Sequence, residues 1–198
     1  MRFDPISAET NLYLTKADIA ALATFASKDK TRPHLASICV DPSLGRVVAT
    51  DGHRLVLARA AWKKTAPRFL VPAAELAKAA KLIDAKGEVA ISATRGDDGS
   101  AVVRVTAGGT VASFAAPTEQ FPPVDQILEL RTKKSDNVAD RIGLNAKYLN
   151  DILLVQRAAE IEGVWIEAWN DVAEPIWFEA RNAGIDVTWI GCIMPMRL

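Results

Sequence analysis

One order of elements, a strand followed by a helix and then three strands, occurs three times along the chain, and this repetition restricts the folds open to it. The three helix starts, Thr15, Pro72 and Asn145, are residues that favour a helix N-terminus. A short apolar run precedes each helix pattern, and three runs of β-forming residues separated by turn residues follow it. The sequence therefore predicts an α+β fold of antiparallel sheets with helices on one face.

The repeats give specific element boundaries. The strands are predicted at 10–14, 35–41, 45–50, 53–60, 69–71, 88–95, 101–106, 110–116, 142–144, 164–168, 176–180 and 185–193. The second helix is expected to end near Gly87. The apolar stripes that should face the core combine Ile19, Leu22 and Ala26 on the first helix, Leu76, Ala79, Ala80 and Ile83 on the second, and Leu149, Ile152, Leu153 and Gln156 on the third.

The interval before the third helix start is longer than the one before the second, because an extra segment, 117–140, separates the last two repeats. This segment contains paired prolines and the polar run LRTKKSDN, a composition typical of a linker. We therefore divide the chain into a complete domain at 1–117, a linker at 118–138 and a half-sized domain at 139–198.

Composition excludes some classes of protein. Lys and Arg total 24 and so do Asp and Glu, so the overall charge gives no support for nucleic-acid binding, and any basic surface must be local. Cys39 and Cys192 lie in apolar runs and are predicted to be buried free thiols of a reducing compartment. The start MRFDPISAET lacks the pattern of a signal peptide, and no apolar run approaches the length of a membrane span, so we expect a cytoplasmic protein with no membrane contact.

Catalytic and metal-binding patterns are weak in this sequence. His34 and His53 do not combine with Cys39 and Cys192 at a zinc-like spacing, so we expect no metal and no cofactor. The sequence lacks a nucleophile elbow and a phosphate-binding glycine loop, and we expect a protein that is not an enzyme. An acid–base pair of Asp51 and His53 remains the alternative, although no nucleophile accompanies it.

The segment 49–55, ATDGHRL, is the most specific motif in the chain. Asp51 and Gly52 separate two β-forming runs, a spacing typical of a two-residue hairpin turn. Read alone, a His-Arg pair after such a turn is most simply a solvated strand start. Together with FPPVDQIL at 121–128 and the terminal MPMRL at 194–198, however, the motif resembles the bacterial DNA polymerase sliding clamp, or beta subunit, family.

This resemblance implies DNA-clamp-like repeats, two to each clamp domain. Three repeats then correspond to about one and a half domains, a shortened form of a clamp. Residues 9–128 resemble the middle clamp domain with its exit linker, and 139–198 resemble the second half of the last domain.

The resemblance also implies an apolar groove that binds short linear peptide motifs of DNA polymerases, the clamp loader or repair proteins. The groove residues implied by position are Thr50, Gly52, His53, Arg54, Leu55, Pro122, Gln126, Ile127, Ala173, Pro175, Cys192, Ile193, Met194, Pro195, Met196, Arg197 and Leu198. Met194 and Met196, beside Pro195, have flexible side chains that would give the groove an apolar floor able to accept varied partners. His53 and Arg54 are expected at the rim, holding peptide carbonyls or carboxylates. The alternative is a chain terminus that packs its methionines in the core.

The chain departs from the clamp pattern at four groove positions. Gln126 stands where clamps often have arginine, and Ala173, Pro175 and Cys192 replace other small or branched residues. We therefore expect a peptide preference that differs from that of conventional clamps.

A clamp-like fold further implies a helix layer that faces double-stranded DNA and contacts phosphates without reading the sequence. The cations expected there are Lys16, Lys28, Lys30, Lys78, Lys81, Lys147 and Arg157. A solvated helix face is the alternative. Four chains would supply the repeats of a conventional ring, so we expect a homo-oligomer, with 139–198 either self-associating or packing on the first two repeats. Two functions remain open: a replication or repair accessory protein that encircles DNA as an oligomer, and a clamp mimic or competitor that binds clamp-binding motifs without loading on DNA.

Overall fold

The structure is a computed structural model that describes residues 1–3, 12–60, 66–84, 86–96, 100–132, 142–167, 174–184 and 186–196. The helices in these ranges are α1 (Lys16–Phe25), α2 (Ala73–Ala79), α3 (Val124–Leu130) and α4 (Ala146–Ala158). The strands are β1 (Arg2–Phe3), β2 (Leu12–Thr15), β3 (Ser37–Asp41), β4 (Arg46–Thr50), β5 (Arg54–Ala60), β6 (Phe69–Pro72), β7 (Glu88–Arg95), β8 (Ala101–Ala107), β9 (Thr110–Ala115), β10 (Trp165–Ile166), β11 (Ile176–Arg181) and β12 (Val187–Ile193). None of the helices so described has both the length and the apolar character that a bilayer crossing requires.

Two antiparallel sheets contain these strands, one five-stranded in the order β1-β2-β7-β8-β9 and one seven-stranded in the order β10-β11-β12-β5-β4-β3-β6. The first two repeats, 12–60 and 69–115, exchange their leading strands: β2 pairs with β7, and β6 pairs with β3. Each repeat thus supplies a strand to the other's sheet. The predicted α+β architecture of antiparallel sheets is confirmed.

The third repeat, 142–193, joins the first through β12 and β5. These strands pair over seven residues, from Val187 opposite Ala60 to Ile193 opposite Arg54. The seven-stranded sheet therefore continues from the first repeat into the third. This pairing is the packing of the third repeat on the first two, one of the two arrangements predicted.

Both faces of the seven-stranded sheet are apolar. On β5, Val56 and Ala58 join the core beneath α1, α2 and α4, whereas Leu55 and Leu57 join a second core on the opposite face. Side chains that alternate between two buried faces explain why the strand reads as a nearly continuous apolar run.

The second core lies beneath α3. Phe121 and Val124 are buried there against residues of β3, β5, β11 and β12, and Ile127 packs beside them. The segment predicted as a linker thus contains a helix, and this helix covers the face of the sheet opposite to the other three. Its apolar residues recur at helical spacing within the seven residues of VDQILEL, but the neighbouring prolines and polar residues concealed the pattern.

Most predicted boundaries agree with the structure, and α1 begins as predicted at Thr15, whose hydroxyl accepts a hydrogen bond from the Asp18 N–H at 3.2 Å. The prediction for α2 is wrong at its end. The helix stops at Ala79, because the next N–H groups, from Lys81 and Leu82, bond to carbonyls three residues back and tighten the chain into a turn.

Two predictions for the third repeat are also wrong. Residues 142–144 form only a single bridge, between Gly143 and Met196. On α4 the buried residues are Asp151, Ile152 and Val155, and Leu149 and Leu153 are exposed, so the core stripe is displaced from the predicted one. The displacement arises because a carboxylate, Asp151, occupies a core position, which an apolar pattern does not reveal.

Gly191 is a position on β12 where the neighbouring atoms leave no room for a Cβ atom. A Cβ atom placed there would lie 2.1 Å from Phe178 Cζ and 2.8 Å from the Leu55 carbonyl oxygen. We predict that Gly191→Ala lowers the free energy of unfolding by about 1–3 kcal/mol, because the clash must be relieved by backbone or ring movement. Urea unfolding measures this loss.

The matched control is Gly163→Ala, because a Cβ atom at Gly163 meets no atom within 4 Å. This variant should unfold within about 0.5 kcal/mol of the parent protein. Equal stabilities for the two variants would contradict the close packing assigned to β12.

Candidate functional site

The turn between β4 and β5 contains Asp51, Gly52 and His53. Gly52 has φ 94°, a conformation that favours glycine. The Asp51 carboxylate accepts hydrogen bonds from the N–H groups of His53 at 2.9 Å and Arg54 at 3.1 Å. Because this carboxylate caps the start of β5, the turn is longer than the predicted two-residue connection.

The C-terminal segment lies beside this turn. The Met194 N–H donates to the His53 carbonyl at 2.8 Å, directly after the Ile193–Arg54 strand pair. The Met196 N–H donates to the Gly143 carbonyl at 2.8 Å. Met194 and Met196 keep 37% and 46% of their surface exposed, so their thioethers remain accessible beside His53. The two segments that the motif comparison joins are therefore adjacent in space.

The predicted groove residues differ widely in exposure. Those accessible to solvent or half-buried are Gly52, His53, Pro122, Gln126, Ile127, Met194, Pro195 and Met196. Those that are buried are Thr50, Arg54, Leu55, Pro175, Cys192 and Ile193. Ala173, Arg197 and Leu198 lie outside the described residues.

The buried members have distinct locations. Leu55 and Cys192 belong to the core beneath α3, and Ile127 is the one accessible groove residue in the described ranges that packs against this core. Ile193 packs in the core on the helix side of the sheet, so its side chain does not line the same surface. The structure thus brings the backbones of these residues together but divides their side chains between two faces of one sheet.

The rim position predicted for Arg54 is wrong. Its side chain is 7% exposed and lies on the helix side, where Nε pairs with Asp51 at 3.0 Å and Nη1 pairs with Asp151. Nη2 donates to the Thr24 carbonyl at 2.7 Å. Adjacent residues on a strand point to opposite faces, so Arg54 and Leu55 do not line the same surface.

Aromatic rings complete the surroundings of Arg54. The guanidinium carbon lies 4.4 Å from the Tyr148 ring centroid and 4.9 Å from that of Phe25. Cation–π contacts with these two rings add to the attraction of the two carboxylates. Arg54 therefore ties the turn to α1 and to α4, and sequence reasoning missed this role because Asp151 is far from Arg54 along the chain.

Ion pairs hold both ends of α3 on the sheet. At its start, Arg46 Nη1 lies 2.5 Å from Asp125, and this hydrogen bond lowers the pKa of the Asp125 carboxyl. At its end, Arg131 bonds to the carboxylates of Glu167 and Glu179, which raises the pKa of the Arg131 guanidinium. A helix held at both ends fixes Ile127 against the core that contains Leu55 and Cys192.

The predicted DNA-facing cations lie mostly on the helix layer. Lys16, Lys147 and Arg157 are exposed on α1 and α4, while Lys78 on α2 pairs with Glu75 at 2.8 Å. Lys81 follows α2, and Lys28 and Lys30 follow α1; all three are exposed. Between Lys147 and Arg157, α4 exposes Leu149 and Leu153 instead of further cations. Lys16, Lys78, Lys147 and Arg157 therefore belong to the helix layer, and apolar side chains interrupt the cations on α4.

The packing of α3 on the sheet should protect both cysteine thiols from chemical modification. Burial raises the pKa of Cys39 to about 12 and that of Cys192 to about 12. We predict that neither thiol reacts with a thiol reagent at neutral pH in the folded protein, because thiolate and access are both lacking. Asp125→Lys, which places a cation beside Arg46, should release the start of α3 and accelerate the reaction.

Asp29→Lys is the control, because Asp29 forms an exposed pair with Arg32 away from α3. The rate of absorbance change from a released thiolate reporter measures the reaction. Fast labelling of the parent protein would contradict the placement of α3 over the cysteines.

Loss of Arg54 should destabilise the fold. Arg54→Met removes the charge but retains a side chain of similar length, leaving Asp51 and Asp151 without their buried partner. We predict a loss of about 3–5 kcal/mol in the free energy of unfolding. Arg59→Met on the same strand should change it by less than about 0.5 kcal/mol, because Arg59 is exposed. Similar losses for both variants, measured by urea unfolding, would remove the special role of Arg54.

Comparison with known proteins gives a consistent match. The family model described as the central domain of the DNA polymerase III beta subunit matches residues 12–114, just over half of the chain. No curated protein sequence matches the chain.

Solved structures match over nearly the whole chain. The beta chain of DNA polymerase III from Streptococcus pneumoniae aligns with TM-score 0.67 and 18% identity, over 100% of this chain and 67% of that one. A sliding clamp from Pseudomonas aeruginosa bound to griselimycin aligns with TM-score 0.64 and 17% identity, over 100% and 68%. Another structure of the Pseudomonas aeruginosa clamp, with ligand, gives TM-score 0.61 and 18% identity, over 95% and 66%. The chain thus shares the clamp fold and spans about two thirds of the length of these clamps.

Proposed function

Because this chain belongs to the DNA polymerase III beta subunit family, the sliding clamps, we propose that it is a clamp-like accessory protein of DNA replication or repair. Its proposed activity is to bind short linear peptide motifs of DNA polymerases, a clamp loader or repair proteins. The proposed site is the surface between the Asp51–His53 turn and Met194–Met196, with α3 as its third border. The proposal is of a non-catalytic protein that acts in the cytoplasm.

The observation that carries the site assignment is the hydrogen bond from the Met194 N–H to the His53 carbonyl, at 2.8 Å. It supports the proposal because it holds two accessible thioethers beside a histidine and a tight turn. Unbranched thioether side chains adapt to different apolar partners, as a surface for varied peptides requires. Next to the C-terminal segment, Leu55 and Cys192 belong to an apolar core that is already packed in the free protein, with Ile127 against it.

The structure changes the polar part of the proposed site. Arg54 is buried and paired, so the accessible polar side chains are His53 and Gln126. His53 can hold a peptide carbonyl, and Gln126 can donate to one and accept from its neighbour. We therefore propose that peptide affinity comes mainly from apolar contacts, with less contribution from charge than an arginine at position 126 would give.

Contact with DNA is a further part of the proposal. The helix layer carries exposed Lys16, Lys81, Lys147 and Arg157, whose attraction to phosphates would be independent of sequence. Encirclement of a duplex requires association of several chains. The second candidate function, a clamp mimic or competitor that never loads on DNA, is favoured by the exposed Leu149 and Leu153, which interrupt the cations on α4.

Peptide titration tests the groove. We predict that a labelled clamp-binding peptide binds the parent protein and that Met196→Glu, or removal of Met194–Leu198, weakens binding by at least about tenfold. Fluorescence anisotropy measures the affinity. Leu44→Glu is the control, because Leu44 is an exposed apolar residue in the turn between β3 and β4. Unchanged affinity in the truncated protein would refute the site.

A loading assay distinguishes the two functions. Retention of the protein on circular DNA, in the presence of a clamp loader and at increasing salt, is the result expected of a working clamp. Peptide binding without retention is the result expected of a competitor.

A further inference from the structure

The first two repeats show how one repeat completes another. The strand that leads into α1 pairs with β7, and the strand that leads into α2 pairs with β3. In addition, α1 packs on α2. Each repeat therefore needs a second repeat in two places: at the outer edge of the first of its three strands, and on the flank of its helix.

The third repeat has neither partner among the described residues. Its first strand, β10, is the edge of the seven-stranded sheet. Trp165 and Ile166 on this strand are 74% and 56% exposed. On α4, which packs on α1, Leu149 and Leu153 are 43% and 49% exposed. Ile166 lies on the side of the sheet that carries α4, whereas Trp165, its neighbour on the strand, points to the opposite face. Ile166, Leu149 and Leu153 therefore mark an apolar surface that a partner covers.

A cavity of about 170 Å³ lies in the same region and is lined only by apolar side chains, among them Leu144, Leu149, Ile152 and Ile166. Fewer than a dozen residues separate Arg131 from Ile142, too few for a further repeat between the second repeat and the third. A repeat of another molecule can supply the strand and the helix that the third repeat lacks.

We propose that two copies of this chain form a two-fold symmetric dimer, in which the third repeat of each copy completes the third repeat of the other. A second copy fits because the repeats of this chain already complete one another in pairs, and the third repeat offers both halves of the same contact. It has an open strand edge at β10 and a leading segment, Ile142–Leu144, of which Gly143 is bonded to Met196. When two such repeats are related by a two-fold axis, the leading segment of each pairs with the open β10 edge of the other.

The strand register follows from the pairs that exist. In both, the residue that caps the helix lies opposite the first residue of the receiving strand: Thr15 opposite Glu88, and Pro72 opposite Ser37. The preceding residue, Leu14 or Val71, is buried on the helix side.

Transferred to the third repeat, this rule places Asn145 opposite Trp165 of the second copy and Leu144 opposite Ile166 of the second copy. Leu144 and Ile166 both line the apolar cavity, so the register brings together two side chains that face the same core. The two copies of α4 then meet through Leu149 and Leu153, one turn apart on the open flank. This one contact covers the β10 edge of the sheet, the apolar cavity and the open flank of α4.

The dimer rests on the pairing of repeats and not on the peptide groove, so loss of self-association and loss of peptide binding are separate results. We expect light scattering to give a mass twice the 21.4 kDa of the chain. Leu149→Glu and Leu153→Glu should each raise the dimer dissociation constant by at least about tenfold. Leu44→Glu, a change at an exposed leucine away from this surface, should leave it unchanged. Circular dichroism checks that each variant is folded.

Cysteine pairing tests the register. We expect a disulfide-linked dimer on oxidation of a mixture of the Leu144→Cys and Ile166→Cys variants, because directly opposed residues have the separation that a disulfide requires. The native Cys39 and Cys192 are buried, so the new thiols should carry the reaction. A mixture of Leu44→Cys with Ile166→Cys should not cross-link. A monomer across about a hundredfold range of concentration, or a dimer that persists in both glutamate variants, would overturn the proposal.

Discussion

The pairing of β5 with β12 is the interaction on which the rest of the structure depends. Seven residue pairs join strands that are far apart in the sequence, and they make one sheet out of the first and third repeats. The cost of closing so long a loop is recovered only because both faces of the joined sheet are buried, one beneath α1 and α4 and the other beneath α3. The same pairing puts Met194 beside His53 and α4 beside α1. The candidate site and the helix layer are therefore both consequences of this one strand pairing.

Much of the fold could be predicted from the sequence because the residues that end its strands and begin its helices act locally. Turn residues separate the strands, and Thr15 and Asn145 cap their helices through their own side chains. What failed depended on distant partners. The stripe of α4 was misplaced because Asp151 is made compatible with the core only by Arg54, more than ninety positions earlier. The helix in 118–138 was missed because its stability comes from docking, through Arg46 and Arg131, and not from its own short length.

The candidate site was predictable as a meeting of segments but not as an arrangement of side chains. The motif comparison joined the turn to the C-terminal segment, and the His53–Met194 contact agrees with that proximity. The comparison assigned both Arg54 and Leu55 to the groove, although strand geometry alone places neighbouring residues on opposite faces. Applying the two-residue period to the motif would have placed Arg54 with the helices. Its partners, Asp151 and Tyr148, would still have required the tertiary structure, because no local pattern in the sequence indicates them.

Arg54 connects the two surfaces to which we assign proposed functions. Its guanidinium bonds to Asp51 in the turn and to Asp151 on α4, so a buried charge depends on the relative position of both elements. In surroundings of low polarity neither carboxylate can move away without a large cost, because the charge it leaves is poorly hydrated. Asp151 is adjacent to Ile152, which lines the cavity that a second copy would cover. The turn at the proposed peptide site and the helix at the proposed dimer contact are thus held by one side chain, which makes the spacing between these surfaces a fixed property of the fold.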